Sequence, residues 1–107
     1  MVVRTARGER GSWFATVNGE RLPCVHKYWL KDGRYRALRA PLNDPKHIDL
    51  VTAIRAGRKV ILTKDKVQGD GLAFERDGYI SVWRVDDIVW ENDTLEFRFV
   101  EKVDDLK

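Results

Sequence analysis

The sequence predicts an α+β fold, mostly antiparallel β: a curved sheet or small barrel of about seven to eight strands with one helix near residues 45–56. Three observations predict it. Asn18-Gly19 and Asp32-Gly33 each interrupt a β-rich run with a dipeptide suited to the two positive φ angles of a type I′ turn. Asp44-Pro45 opens a stretch in which Leu50, Val51 and Ile54 recur at helical spacing. Beyond that stretch the period returns to two, most plainly where Leu95, Phe97 and Phe99 alternate with Glu96 and Arg98.

Taken in order, residues 1–11 hold Arg4, Arg7 and Arg10 with little apolar content, which predicts a flexible basic arm ahead of a single β-rich domain over 12–107. The two hairpin signals predict a three-stranded meander over about Ser12–Val17, Glu20–Leu30 and Arg34–Ala40. Pro41 and Pro45 break it. The helix follows, with Asp44 as N-cap, Pro45 in the first turn and Gly57 as the residue just past its end. Arg55, Arg58 and Lys59 cluster at that end, where cations favour the helix dipole. Lys59–Thr63 is a short apolar strand. Residues Lys64–Gly71 lack the spacing of a phosphate loop and are expected to be a β–β connection. Leu72–Glu75 and Tyr79–Val85 flank Arg76-Asp77-Gly78, a third turn signal, and Ile88–Trp90 and Leu95–Val100 flank a fourth over Glu91–Thr94.

Composition bounds the function. A chain of 107 residues with 43% hydrophobic and 35% charged residues can bury one core. The single cysteine, Cys24, excludes an intramolecular disulfide. No apolar run reaches the roughly 20 residues of a membrane span, and none follows the first basic residues as a secretory signal would, so the expected location is cytoplasmic, with no membrane partner. The net charge of +3 hides an uneven distribution: residues 1–66 carry 15 Lys/Arg against 6 Asp/Glu, and residues 67–107 carry 5 against 11. Such asymmetry focuses a local potential, draws the two halves together, or favours head-to-tail association.

Two-residue turns fix register, and register sorts side chains to faces. Val17 then opposes Glu20, Ala15 opposes Leu22, Leu30 opposes Tyr35 and Trp29 opposes Arg36. One face collects Trp13, Ala15, Val17, Leu22, Cys24, His26, Tyr28, Leu30, Tyr35 and Ala37, and is expected to be the core side. The other collects Phe14, Arg21, Val25, Lys27, Trp29, Lys31, Arg34 and Arg36, with five cations and no carboxylate. Cations between exposed rings suit a single-stranded nucleic acid, whose bases stack while its phosphates are neutralised. The expected function is therefore a non-catalytic nucleic-acid-binding module. Arg21, Lys27, Arg34 and Arg36 would contact phosphates, and Trp29 and Phe14 would stack on bases.

Two other functions use the same residues. A protein-interaction or self-assembly domain, as a homodimer or a subunit of a complex, would present the aromatic face or the acidic half to a partner chain. A small hydrolase or nuclease would use Cys24 with His26, two apart on one strand, or the acidic stretch Asp86, Asp87, Glu91, Asp93 and Glu96. Neither set is complete. There is no second cysteine, the only other histidine is His47 on the helix, and the acids straddle a turn. No cofactor or metal is expected.

Overall fold

The computed structural model describes residues 3–4, 6–8, 13–38, 40–68 and 73–106. Its strands are β1 (Val3–Arg4), β2 (Ala6–Gly8), β3 (Phe14–Val17), β4 (Glu20–His26), β5 (Leu30–Lys31), β6 (Arg34–Ala37), β7 (Lys59–Gln68), β8 (Ala73–Glu91) and β9 (Thr94–Leu106). A 3-10 turn, Lys27–Trp29, separates β4 from β5, and the helix α1 spans Pro45–Gly57. The strands form one mixed, mostly antiparallel curved sheet in the order β2-β3-β4-β7-β8-β9-β6-β5, with β1 off this path beside β9. Of the two architectures expected, the curved sheet with one helix is the one adopted. The sheet is not closed into a barrel.

Both hairpin signals form as read. Asn18 and Gly19 take φ of 50° and 81°, Asp32 and Gly33 take 52° and 78°, and the flanking registers are Val17 opposite Glu20 and Leu30 opposite Tyr35. The meander expected to join them does not form. The strand expected over 20–30 stops at His26, where the 3-10 turn bends the chain away. β4 then pairs in parallel with β7, through Cys24 opposite Ile61, while β6 pairs with β9, through Tyr35 opposite Phe97. The two hairpins therefore lie towards opposite ends of the strand order.

Three further differences are local. Arg76-Asp77-Gly78 is strand within β8, and the β7–β8 connection falls at residues 69–72, outside the described residues. Asp86 and Asp87 do not end a strand but form a bulge in β8, with Asp87 at φ 53° and its N–H donated to Asp86 Oδ1 at 2.5 Å. Part of the expected basic arm is strand: β1 pairs with residues Asp105–Leu106 and β2 with Ala15–Val17, while residues 9–11, Arg10 included, lie outside the described residues.

α1 starts as the sequence indicates, with Asp44 accepting from the His47 N–H and Pro45 in the first turn. Its end is displaced by one residue. Gly57 is helical, and Arg58 takes the left-handed position at φ 52°, donating its N–H to the Ile54 carbonyl.

Two apolar clusters lie on either side of β4 and β7. On one side Val25, Val60 and Leu62 join Tyr35, Val85, Leu95, Phe97 and the helical Leu50, Val51 and Ile54. On the other, Cys24 and Ile61 join Ala15, Val17, Leu22 and Val82. The uninterrupted run Val60-Ile61-Leu62 is what a strand buried on both faces requires. The expectation of one continuous apolar face with a wet reverse is thereby corrected. Val25 and Phe14, placed on the wet side, are 1% and 7% exposed.

Candidate polyanion-binding surface

Tyr35 is buried and stacks on Phe97 across the β6–β9 pair, ring centroids 4.6 Å apart. That inward pair locks β6 onto β9, and the strand period then fixes what points outward. Lys31 stands opposite Arg34, Arg34 opposite Arg98, and Arg98 opposite Asp86. The next row holds Arg36 opposite Glu96 and Glu96 opposite Val89. Three cations from three strands thus stand in one cross-strand row on the wet face of the sheet. Like charges directly opposed in a sheet are destabilising, so packing gives no reason for such a row.

The carboxylates that offset it come from the acidic half of the chain. Glu96 Oε1 lies 3.8 Å from Arg34 Nε and 3.7 Å from Arg36 Nε. Arg98 Nη2 lies 3.5 Å from Asp86 Oδ2 and 3.7 Å from Asp87 Oδ2. These separations sit at or beyond the outer limit of a hydrogen bond, and the side chains of Arg34, Arg36 and Arg98 are 51%, 64% and 53% exposed. Ion pairs this open contribute about 0–1 kcal/mol and leave the guanidinium donors accessible. Lys27 and Lys31 are exposed and have no ion pair among the described residues.

The aromatic part of the surface differs from expectation. Lys27 and Trp29 lie on the 3-10 turn, not on a strand opposite β6, and Trp29 is half-buried against the helix-side cluster. The exposed ring is its neighbour Tyr28, assigned by the alternation to the core side but 60% exposed and held edge-on to Trp29 at 5.2 Å. Sequence reasoning missed it because a 3-10 turn abolishes the period of two on which the assignment rested.

Phe14 and Arg21 are not part of this surface. Phe14 opposes Pro23 and Arg21 opposes Thr16, a diagonal pair in the β3–β4 hairpin, and the Arg21 guanidinium carbon sits 3.9 Å over the buried Phe14 ring. A ring that is 7% exposed beneath an arginine has no face to offer a base. Of the six residues expected to bind, Lys27, Trp29, Arg34 and Arg36 fall within the segment that runs from the 3-10 turn through β6. Phe14 and Arg21 do not.

The residues of the other candidate chemistry lie away from this row or pair with its arginines. Cys24 is 6% exposed in the cluster with Ile61 and Val82. The acidic stretch disperses: Asp86 and Asp87 face Arg98, Glu96 faces two arginines, and Asp93 accepts the Leu42 N–H on its carboxylate at 3.0 Å and the Ala40 N–H on its backbone carbonyl at 2.8 Å. No group of three or more His, Cys, Asp or Glu among the described residues could hold a metal ion. His47 Nδ1 lies 2.5 Å from Asp44 Oδ2, and its ring meets Trp13 edge-on at 4.7 Å. The hydrogen bond to the His47 side chain holds the Asp44 carboxyl below its ordinary value of 3.8.

Comparison with protein-family models, with curated proteins and with solved structures gives no match. No helix among the described residues is long and apolar enough to cross a membrane.

Proposed function

We propose that this chain is a non-catalytic module that binds single-stranded nucleic acid on the outer face of β5, β6 and β9, together with the 3-10 turn that precedes them. The observation that carries the reading is the directly opposed row Lys31, Arg34 and Arg98, with Arg36 beside it and every one of these side chains exposed. A row of like charge lowers stability on its own and becomes favourable when polymeric phosphate lies along it. Lys27 adds an exposed cation on the 3-10 turn just before β5, and the exposed Tyr28 ring supplies a stacking platform for a base. Trp29 packs edge-on against that ring.

A second reading has its own observation. Leu38, Leu42 and Ile48 are 53%, 45% and 42% exposed in and around the segment that leads into α1, which favours a partner chain or a second copy there. The two readings respond differently to salt. Binding to a labelled single-stranded oligonucleotide should be detectable at low salt, weaken steeply as salt rises, and fall at least several-fold in Lys31→Glu and in Arg34→Glu. Absence of binding at low salt, or binding indifferent to both reversals, would overturn the nucleic-acid reading. A dimer by light scattering that persists at moderate salt would favour the protein-interaction reading instead.

A further inference from the structure

We infer that Glu96 is a built-in competitor for phosphate, a carboxylate that occupies the gap between Arg34 and Arg36 and sets how tightly this face holds an anion. The inference rests on the nucleic-acid reading and adds to it a residue that restrains binding.

Its basis is geometric. One carboxylate oxygen of Glu96 is nearly equidistant from two guanidinium Nε atoms, at 3.8 and 3.7 Å. An oxyanion bridging two arginines is how these side chains hold a phosphate, although a bound phosphate would approach to hydrogen-bond distance. Glu96 stays outside that distance from both. Its position is fixed by the backbone, because it stands between Leu95 and Phe97, which are 1% and 0% exposed. On its other side the opposed residue is Val89, which offers no cation. Glu96 therefore shares its charge between Arg34 and Arg36 without satisfying either, and a phosphate group that reaches them must displace it.

The same arrangement makes the face selective for polymers. A lone phosphate gains little by replacing a carboxylate that is already in place. A strand that also meets Lys31, Arg98 and Lys27 gains several contacts for the one it must displace. The acidic half of the chain thus acts as a threshold on the basic half.

The test compares wild type with Glu96→Gln and Val89→Glu, all checked for folding by circular dichroism, on the same labelled single strand. Glu96→Gln keeps the side-chain volume and removes the charge. It should tighten binding roughly 3- to 10-fold at low salt, the scale of releasing two exposed ion pairs. The slope of log affinity against log salt should steepen by about 0.7 to 1.4, because one or two more phosphates become neutralised. Val89→Glu, which places a second carboxylate beside the row, should weaken binding. If wild type binds and Arg34→Glu weakens it, yet Glu96→Gln binds no more tightly, Glu96 is no competitor and only this inference fails. If Val89→Glu leaves affinity unchanged, the inference fails in the same way. If neither wild type nor Glu96→Gln binds at low salt, the nucleic-acid reading fails with it.

Discussion

The two glycine-containing hairpins make a natural experiment within one chain. Each has a two-residue turn with both centres at positive φ, and each pairs in the register that turn imposes. Their fates differ. The β3–β4 hairpin lies between two apolar clusters, so Phe14, Leu22 and Val25 are all buried and Arg21 serves as a lid on a ring. The β5–β6 hairpin sits at the end of the strand order, keeps Tyr35 as its inward anchor and leaves its cations in water. A turn decides which residues oppose each other. Which side of the paired strands is buried is decided by elements that arrive from elsewhere, with β7 pairing beside the first hairpin and β9 beside the second.

The largest effects should appear where the first hairpin is buried. Ile61→Ala removes a 0%-exposed side chain packed with Cys24 and Val82, and should cost about 2–5 kcal/mol in denaturant melts. A cost below about 1 kcal/mol would break the comparison, because it would mean that the second cluster is not a core.

Next in size are the turns. Gly19→Ala and Gly33→Ala each place a side chain at φ near +80°, with no atom within 4 Å of the added carbon, so the cost is backbone strain alone, about 1–2 kcal/mol. Gly33 additionally accepts the Phe99 N–H at 2.8 Å, so its substitution should also weaken protection of that amide in hydrogen exchange. Equal exchange at Phe99 in the two variants would remove this distinction between the hairpins.

A smaller effect concerns acid. The hydrogen bond from His47 lowers the Asp44 pKa, so its contribution to folding is complete above 3.8 and is lost as pH falls through the lower native value. The difference in thermal midpoint between wild type and Asp44→Asn should therefore hold down to about pH 3.8 and shrink below it. Because Trp13 packs edge-on against His47, tryptophan fluorescence should report the change at the first hairpin. A midpoint difference that is flat down to strongly acid pH would contradict the linkage.

What the sequence disclosed and what it withheld follow one physical division. Turn chemistry and helix capping are local, so Asn18-Gly19, Asp32-Gly33 and Asp44-Pro45 could be read directly. The parallel pairing of Cys24 with Ile61 and the pairing of Arg36 with Glu96 join residues far apart in the chain, and no local pattern encodes them. The alternation of Glu96 and Arg98 showed that β9 has a wet face, but not that this face continues across β6. Two local signals also misled. Arg76-Asp77-Gly78 has turn composition yet lies inside β8, and Lys27–Trp29 has strand composition yet forms a 3-10 turn. The first is a place where pairing with β7 overrode intrinsic preference. Of the candidate surface, Arg34, Arg36 and Lys27 were legible, while the places of Arg98, Tyr28 and Glu96 needed the three-dimensional structure.

Whether the cations of the second hairpin meet phosphate is read out by the salt dependence of single-strand binding. Compared across a salt series, Arg34→Ala should bind with a slope shallower than wild type by about 0.7, the loss of one neutralised phosphate, and Arg21→Ala should match wild type. The reverse pattern, with Arg21→Ala flattening the slope and Arg34→Ala leaving it intact, would contradict the account.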